Sequence, residues 1–331
     1  MRRMETDLHL HLDGSLSMDV VRTLAERIGY DLEGKDLKKL LCVGDDCASL
    51  AEYLSCFDLP GILLQTEDAL EMASCDLVKR LAAQGLVYAE IRFAPQLHRQ
   101  KGLTQEQAVE AVVRGVQAGS RESGMYAGVL LCAMVNGSDG DNEETLELSR
   151  AYLGKGVVGA DIAGPEGLVP MKHFEGMFRR IYQVDVPFTI HAGECGDYEN
   201  VALAVSYGAR RIGHGCAAIR SEACMDLLKR ENITLEMCIV SNLQTKAAES
   251  IEAHPLKEFY ARGIRVTYNT DDMMVSDTDL EREAALITGR MGLTQKDLIR
   301  MNEMAVEAGF AGAEVREGIL RRMREQSGIW K

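Results

Sequence analysis

The stretch DLHLHLD at residues 7–13 alternates polar and apolar side chains, which is the pattern of a β-strand with one buried face. Seven more β-rich apolar runs follow it, and segments with helical periodicity separate them. Strands that alternate with helices are typical of a parallel sheet with crossover helices. The later runs are LVYAEIRFAP (86–95), AGVLLCAMV (127–135), VVGADIAG (157–164), VPFTIHAG (186–193), ARRIGHG (209–215), ITLEMCIVS (233–241) and IRVTYNTDD (264–272).

The number of these units indicates an α/β fold, a closed (β/α)8 TIM barrel. An open doubly wound sheet usually has fewer strands and a glycine-rich first turn, which is absent here. Residues 14–85 are more than one crossover helix needs, so they predict a helical insertion after strand 1. The length allows one large domain or two small ones. Because no Pro/Ser-rich linker interrupts the chain, we expect one domain over residues 1–331.

The composition excludes several classes of partner. Asp and Glu number 51 against 37 Lys and Arg, a net charge of -14 that repels nucleic acid and suits a neutral or cationic small molecule. No apolar stretch is long enough to span a bilayer, and the first residues lack the apolar core of a signal peptide. The nine cysteines are an odd number without a C-x-x-C pair, which indicates reduced thiols. We therefore expect a cytoplasmic protein; its oligomeric state stays open.

Side chains that can bind metals gather where the predicted strands end, which is where a barrel builds its active site. His9 and His11 have the spacing that puts two side chains on one face of a strand, so both can reach one ion. Alone, this spacing also fits two buried, hydrogen-bonded imidazoles. His191 and Asp271 follow strands 5 and 8, and three nitrogens with one carboxylate suit Zn²⁺.

Three more residues at strand ends are candidates for chemistry, and each has a structural alternative. Glu194 in HAGE could donate a proton, or it could be a carboxylate at a helix N-terminus. His214 in GHG could be an exposed strand-end side chain or a core histidine. Asp272 in NTDD could face a substrate while Asp271 binds the metal, or this pair could cap a helix. Strand 4 lacks the lysine that bridges two metals in many barrel hydrolases, which favours a single metal.

Six motifs occur at these strand ends in a defined order. They are HLHLDGSL (9–16), YAEIRFAPQLH (88–98), DIAGPE (161–166), TIHAGE (189–194), RIGHG (211–215) and YNTDD (268–272). Together they resemble the adenosine deaminase family of the amidohydrolase superfamily. The resemblance implies a (β/α)8 barrel that uses zinc to deaminate a 6-aminopurine nucleoside by hydrolysis. It implies adenosine and 2′-deoxyadenosine as substrates, and inosine and ammonia as the products from adenosine, in purine salvage.

The resemblance also implies a role for each matching residue. One Zn²⁺ per chain would be held by His9, His11, His191 and Asp271. The zinc would lower the pKa of a bound water to about 7. His214 would orient that water toward purine C6, and Glu194, kept protonated by its surroundings, would protonate N1. Asp272 would bind N7, the Gly164 N–H would bind N3, and Asp13 would face the ribose hydroxyls.

Family members often have the motifs AGDE and NTDDP and a Cys-Pro pair after strand 7. At the corresponding places this chain has Pro165, Met273 and Ile239, respectively. These departures border the expected substrate pocket and remove no expected ligand. Arg92 in EIRFAPQLH favours the adenosine enzymes. The alternatives are a deaminase of adenine or aminodeoxyfutalosine, a metal-dependent amide or ester hydrolase, and a nucleoside-binding relative without turnover. Cys195 is expected to be inert, because the zinc already has its ligands.

Overall fold

The structure is a computed structural model that describes residues 4–44, 47, 49–195 and 197–327. Within these ranges, eight parallel strands form the centre of the fold. They are β1 Glu5–His11, β2 Leu86–Phe93, β3 Tyr126–Met134, β4 Val157–Ala163, β5 Thr189–Ala192, β6 Arg211–His214, β7 Thr234–Met237 and β8 Arg265–Tyr268. Strands β1 to β4 pair in chain order, and so do β5 to β8. The strands are almost wholly buried, as expected of a parallel sheet covered by helices.

Two backbone junctions close the strands into a barrel. Between β4 and β5, the Ala160 N–H donates to the Pro187 carbonyl over 3.0 Å. Between the segment after β8 and β1, the His11 N–H donates to the Asp271 carbonyl over 2.8 Å. The Asp271 N–H in turn donates to the His9 carbonyl, also over 2.8 Å. The (β/α)8 barrel predicted from the eight runs is therefore confirmed.

Helices connect the strands. They are α1 Met18–Ile28, α2 Leu37–Leu41, α3 Leu50–Ser55, α4 Asp58–Leu63, α5 Glu67–Gln84, α6 Gln105–Ser123, α7 Asp139–Ala151, α8 Glu175–Gln183, α9 Tyr198–Tyr207, α10 Glu222–Arg230, α11 Ile239–Gln244, α12 Leu256–Ala261, α13 Leu280–Gly289, α14 Gln295–Ala308 and α15 Ala313–Ser327. Helices α1 to α5 lie between β1 and β2, in the segment where the sequence predicts an insertion. In the described part of the chain, no helix is both long and apolar enough to cross a membrane.

Local sequence determines where several helices begin and end. Helix α6 begins after Thr104, whose hydroxyl accepts the Gln107 N–H over 3.1 Å while the Gln107 side chain accepts the Thr104 N–H over 2.9 Å. Helix α5 ends at Gly85, where a φ of 103° favours glycine because it has no Cβ. Strand β2 then begins at the next residue. One cluster of buried apolar side chains extends along the chain from Leu10 to Met301.

Several observed strands end earlier than the predicted runs. The last residues of the run 233–241 belong to α11 rather than to β7. The Glu283 carboxylate accepts the first two N–H groups of this helix, from Ile239 over 3.0 Å and from Val240 over 3.4 Å. Strand β8 ends at Tyr268, so the NTDD stretch follows the strand. This placement puts polar side chains on irregular backbone at the mouth of the barrel.

Candidate active site and metal centre

Four donor side chains converge at the carboxyl-terminal mouth of the barrel. His9 and His11 come from β1, His191 from β5, and Asp271 from the segment after β8. Asp271 Oδ1 lies 3.2 Å from His9 Nε2 and 3.4 Å from His11 Nε2. His11 Nε2 lies 3.3 Å from His191 Nε2. The ligand atoms of this four-donor group all lie within 4.8 Å of one another, so one cation can contact them all.

Carboxylates behind two of the histidines orient the rings. His9 Nδ1 lies 2.7 Å from Glu236 Oε2, and His191 Nδ1 lies 3.0 Å from Asp161 Oδ2. An ionised carboxylate only accepts hydrogen bonds, so each ring carries a proton on Nδ1. The lone pair is then on Nε2, the nitrogen that faces the other donors.

The donor set fits a bound cation. His9 Nε2 is buried and has no hydrogen-bond partner among the described residues, which costs free energy unless a cation takes up its lone pair. Ser241 Oγ donates to Asp271 Oδ2 over 2.6 Å and leaves Oδ1 facing the histidines. Three imidazole nitrogens and one carboxylate oxygen form a set that suits zinc.

A second group shares His9 and Asp271 and adds His214 and Cys238, again with ligand atoms within 4.8 Å of one another. Burial raises the pKa of the Cys238 thiol well above its usual value. The thiol lies 3.6 Å from the Glu236 carbonyl, to which it donates. Since the thiolate and not the thiol binds metals, the four-donor group is the better candidate.

Arg92 balances the two carboxylates behind the histidines. Its guanidinium is fully buried and donates to Asp161 Oδ2 over 2.6 Å and to Glu236 Oε2 over 2.8 Å. Although burial acts in the opposite direction, the His191 imidazole and the Arg92 guanidinium hold the pKa of Asp161 well below its usual range. The motif around Arg92 suggests a link with substrate preference. The structure instead places Arg92 in the barrel interior, where its charge keeps these two carboxylates ionised.

A cavity of about 170 Å³ adjoins the four-donor group. Apolar side chains, including Leu54, Phe57 and Leu97, form part of its wall. The candidate residues that line it are His11, Asp13, Gly164, His191, Glu194, His214, Asp271 and Asp272. His9 is fully buried and is absent from the lining. The structure thus brings candidate residues in or beside five different runs of the sequence to one cavity.

The Glu194 carboxyl is protonated at neutral pH. Its side chain is buried, and this burial, with the carboxylates of Asp271 and Glu166, raises its pKa to about 8. Helix α9 begins only at Tyr198 and is capped by Asp197, so Glu194 lies outside its first turn. The alternative of a helix N-terminal carboxylate is therefore wrong. A neutral carboxyl at the cavity can donate a proton.

A chain of hydrogen bonds identifies the tautomer of His214. The Leu256 N–H donates to His254 Nδ1 over 3.3 Å, so His254 Nε2 carries a proton and donates to Asn242 Oδ1 over 3.1 Å. Asn242 Nδ2 then donates to His214 Nδ1 over 2.9 Å. Burial holds the pKa of His214 well below its usual value, so the ring is neutral and its proton is on Nε2. His214 Nε2 lies 3.8 Å from Glu194 Oε2, at the cavity.

The pKa values of the adjacent aspartates are shifted in opposite directions. Although burial acts against it, His9, whose Nε2 lies 3.2 Å from Oδ1, and the neighbouring imidazoles hold the pKa of Asp271 well below its usual range. Burial and the charge of Asp271 raise the pKa of Asp272 well above its usual range. Tyr53 OH donates to Asp272 Oδ2 over 2.9 Å. Asp271 is therefore the more acidic of the pair and suits a cation, whereas Asp272 is the carboxyl at the cavity that is more easily protonated.

Gly14 provides the space that the Asp272 side chain occupies. A Cβ on Gly14 would lie 1.7 Å from Asp272 Oδ1, so Gly14→Ala must displace this carboxyl. Since a displacement of about 1 Å can cost 10²-fold, we expect kcat/KM of the reaction at this cavity to fall by roughly that factor. Metal content, measured by atomic absorption, should not change. The control is Gly140→Ala in α7, whose Cβ would meet nothing within 4 Å. Equal kinetics of the two variants would contradict a role for the Asp272 position.

Two residues outside the sequence-based candidates shape the site. Glu166 accepts backbone N–H groups next to Glu194, and Tyr53 donates to Asp272. Glu166 ends the motif DIAGPE, so its carboxylate at a strand end was the available signal. Tyr53 lies in the segment 14–85, where no motif marks it. Partial burial and the carboxylates of Glu194 and Glu166 raise the pKa of Cys195 to about 12, as expected of an inert thiol.

Known proteins match this chain over nearly its full length. The profile of a family described as Adenosine deaminase matches residues 5–326. The adenosine deaminase of Haemophilus ducreyi is 43% identical over 328 residues, which are 97% of this chain and 95% of that protein. The crystal structure of the Arabidopsis N6-mAMP deaminase has a TM-score of 0.88 and 25% identity and covers 98% of both chains. The adenine deaminase of Arthrobacter aurescens has a TM-score of 0.87 and 23% identity, over 98% of this chain and 99% of that chain.

Proposed function

The chain belongs to the adenosine deaminase family, and on this basis we propose that it is a metal-dependent hydrolase that converts adenosine to inosine and ammonia. One observation carries the proposal. The four-donor group adjoins the same cavity as the protonated carboxyl of Glu194. A cation site beside a buried proton donor suits the addition of water to purine C6 and the loss of ammonia.

We propose zinc as the metal, one ion per chain, with His9, His11, His191 and Asp271 as its ligands. Zinc bound there would lower the pKa of a water ligand to about 7 and so supply hydroxide at neutral pH. A single ion is favoured because β4, VVGADIA, offers no lysine to bridge a second one. Its carboxylate, Asp161, already pairs with His191 and Arg92.

Glu194 is the proposed proton donor to purine N1. Protonation of N1 withdraws electrons from C6, which favours attack by the oxygen of water on that carbon. His214 is proposed to donate a hydrogen bond from Nε2 to the attacking water and so to orient it. It cannot accept a proton on Nδ1 while Asn242 donates to that atom. The C6–N6 bond then breaks, and the oxygen of the attacking water becomes the 6-oxo group. One proton of this water leaves with the amino group as ammonia, and the other returns to the Glu194 carboxylate.

The cavity lining favours a neutral nucleoside. The described residues around it include Asp13, Glu194, Asp271 and Asp272 but no Lys or Arg, so nothing there would compensate a 5′-phosphate. The Asp272 carboxyl, whose pKa is raised, is proposed to donate to purine N7 when protonated, and the Gly164 N–H is proposed to bind N3. Gly164 has a φ of 105°, so glycine is favoured where the backbone turns at the cavity. Apolar residues such as Phe57 and Leu97 would cover the purine.

The test is a comparison of initial rates on adenosine, 2′-deoxyadenosine, adenine, AMP and aminodeoxyfutalosine. Conversion is followed by the shift of the ultraviolet spectrum from the 6-amino to the 6-oxo purine. We expect adenosine and 2′-deoxyadenosine to have the highest kcat/KM. A preference for adenine or aminodeoxyfutalosine would support hydrolytic deamination but contradict adenosine as the substrate. Binding of adenosine without a spectral shift would contradict an enzymatic function.

Asp13 provides a test of nucleoside against free base. It lies in the 3-10 helix Asp13–Ser15 after β1 and lines the cavity. We propose that it contacts the ribose hydroxyls, so Asp13→Ala should lower kcat/KM for adenosine by about 10- to 100-fold, as expected when a hydrogen bond to a charged group is lost. Any residual rate on adenine should not change. The control is Asp19→Ala on the exposed face of α1, and an equal effect on both substrates would contradict the ribose contact.

We also propose a cytoplasmic location. All nine cysteines are free thiols in the structure, and most of them are buried. Proteins that fold in oxidising compartments commonly use cysteines as disulfides. Thiol titration of the denatured protein, purified under argon, should therefore find nine reduced cysteines.

A further inference from the structure

The carboxylate of Glu166 binds the backbone on both sides of Glu194. Its Oε1 accepts the Gly193 N–H over 2.7 Å, and its Oε2 accepts the Glu194 N–H over 2.8 Å. Oε2 also accepts the Cys195 N–H over 2.9 Å, and Oε1 accepts Asn200 Nδ2 over 2.9 Å. One side chain from the loop after β4 thus receives four hydrogen bonds, three of them from successive residues of the loop after β5.

These three N–H groups belong to residues that lie between β5, which ends at Ala192, and α9, which begins at Tyr198. Neither a sheet ladder nor a helix holds this segment in place. Gly193 has a φ of 71°, in the left-handed region, and a Cβ there would lie 2.6 Å from Val201 Cγ2. The sharp turn at Gly193 directs three N–H groups to one side, where the Glu166 carboxylate accepts their hydrogen bonds. The Ala217 N–H also donates to the Gly193 carbonyl over 2.8 Å. Glu166 binds the N–H groups of Glu194 and of both its neighbours.

The chain before Glu166 is itself constrained. Gly164 has a φ of 105°, and Pro165 follows it. A proline ring restricts its own φ to about -65° and so limits the paths by which residue 166 can leave the strand. Pro165 is one of the three departures from the family pattern. It restricts the backbone conformations of the segment that carries Glu166.

We propose that Glu166 is a positioning residue for the deamination, which holds the Glu194 carboxyl at the cavity by binding the N–H groups of residues 193–195. The inference rests on the proposed function, because it takes Glu194 as the proton donor. Glu166 does not line the cavity, and its hydrogen bonds are with the loop and with Asn200. On this proposal, its effect on the reaction passes through Glu194.

Glu166→Gln is the sharpest variant. A carboxylate offers two acceptor oxygens, whereas an amide offers one acceptor and one NH2 donor. Whichever way the amide turns, its NH2 faces two N–H donors and about half of the hydrogen bonds are lost. We expect kcat for adenosine to fall by about 10²-fold, because a displacement near 1 Å has this effect. KM and zinc content should change little, since His191 is held by β5 and by Asp161.

A double-mutant cycle separates positioning from a general structural effect. The single variants Glu166→Gln and Glu194→Gln and their combination are compared by kcat on adenosine. If Glu166 acts through the Glu194 carboxyl, Glu166→Gln should cost about 10²-fold in the native background and less than about 2-fold once that carboxyl is gone. An equal loss in both backgrounds would overturn the positioning role.

Two further results are distinguishable. A slow Glu194→Gln enzyme together with an unimpaired Glu166→Gln enzyme would overturn the positioning role and leave the proposed function intact. A fully active Glu194→Gln enzyme would overturn the proposed proton donor, and the positioning role with it. The matched control is Glu199→Gln, an exposed carboxylate in the first turn of α9, which should behave as the native protein.

A second variant keeps the test decisive if Glu166→Gln does not fold, as judged by its thermal unfolding. Asn200→Ala removes one of the four donors and leaves the carboxylate on the three backbone N–H groups. Loss of one hydrogen bond to a charged group should lower kcat by roughly 10-fold in the native background. It should have no effect in the Glu194→Gln background, and a loss there would overturn the inference.

Discussion

Glu194→Gln is expected to lower kcat for adenosine by roughly 10²- to 10⁴-fold, the usual contribution of a general acid. The native carboxyl is protonated because burial and the neighbouring carboxylates raise its pKa to about 8. Glutamine has nearly the same shape and can still donate a hydrogen bond, but it cannot transfer a proton to purine N1. The variant should therefore bind substrate with little change and fail at the chemical step.

The measurement is steady-state kinetics on adenosine, with zinc content determined on the same samples. The zinc content should not change, because Glu194 is not in the four-donor group. Cys195→Ser is the control at the neighbouring position, where the thiol is exposed. Native rates in Glu194→Gln would remove Glu194 from the reaction. Loss of zinc together with activity would instead assign it to the metal site.

His11→Ala is expected to abolish zinc binding and to lower kcat on the order of 10⁴-fold or more, because water without the metal has a pKa of 15.7 rather than about 7. Of the three histidines in the four-donor group, His11 is the most exposed. Its replacement therefore leaves the buried pairs of His9 with Glu236 and of His191 with Asp161 in place. This makes it the ligand whose loss should disturb folding least.

Metal analysis should find near one zinc per native chain and almost none in His11→Ala. Thermal unfolding measured without added metal should be similar for the variant and for the chelator-treated native protein. His173→Ala is the matched control, since this histidine is exposed and pairs with Asp139 on the surface. A His11→Ala protein with full zinc content would contradict the ligand assignment. Two zinc ions in the native protein would favour a two-metal hydrolase.

Local patterns are sufficient for the fold class and for most of the site. The alternation in DLHLHLD places His9 and His11 on one side of β1, and parallel strands in a barrel bring all carboxyl ends to one mouth. Both rules depend only on the periodicity of strands and on their direction. This is why residues as distant in the chain as His11 and Asp271 can be placed together from the sequence alone.

Contacts between distant residues cannot be predicted in this way. Glu236 on β7 faces His9 on β1, and Arg92 on β2 reaches Glu236 and Asp161. These pairs depend on which side chains meet inside a closed barrel, and no local spacing encodes that. The expectation that Arg92 marks the substrate arises from its motif, whereas its burial shows that it balances charge in the barrel interior.

The amino-acid sequence is enough to define the strand order, the residue types at the strand ends and hence the kind of chemistry that they allow. The protonation of Glu194 and Asp272, the tautomer of His214 and the contacts of Glu166 emerge only from the folded chain. The reason is physical. Periodicity is a property of the backbone and can be read along one strand, whereas pKa and hydrogen bonding depend on burial and on charges contributed by other strands.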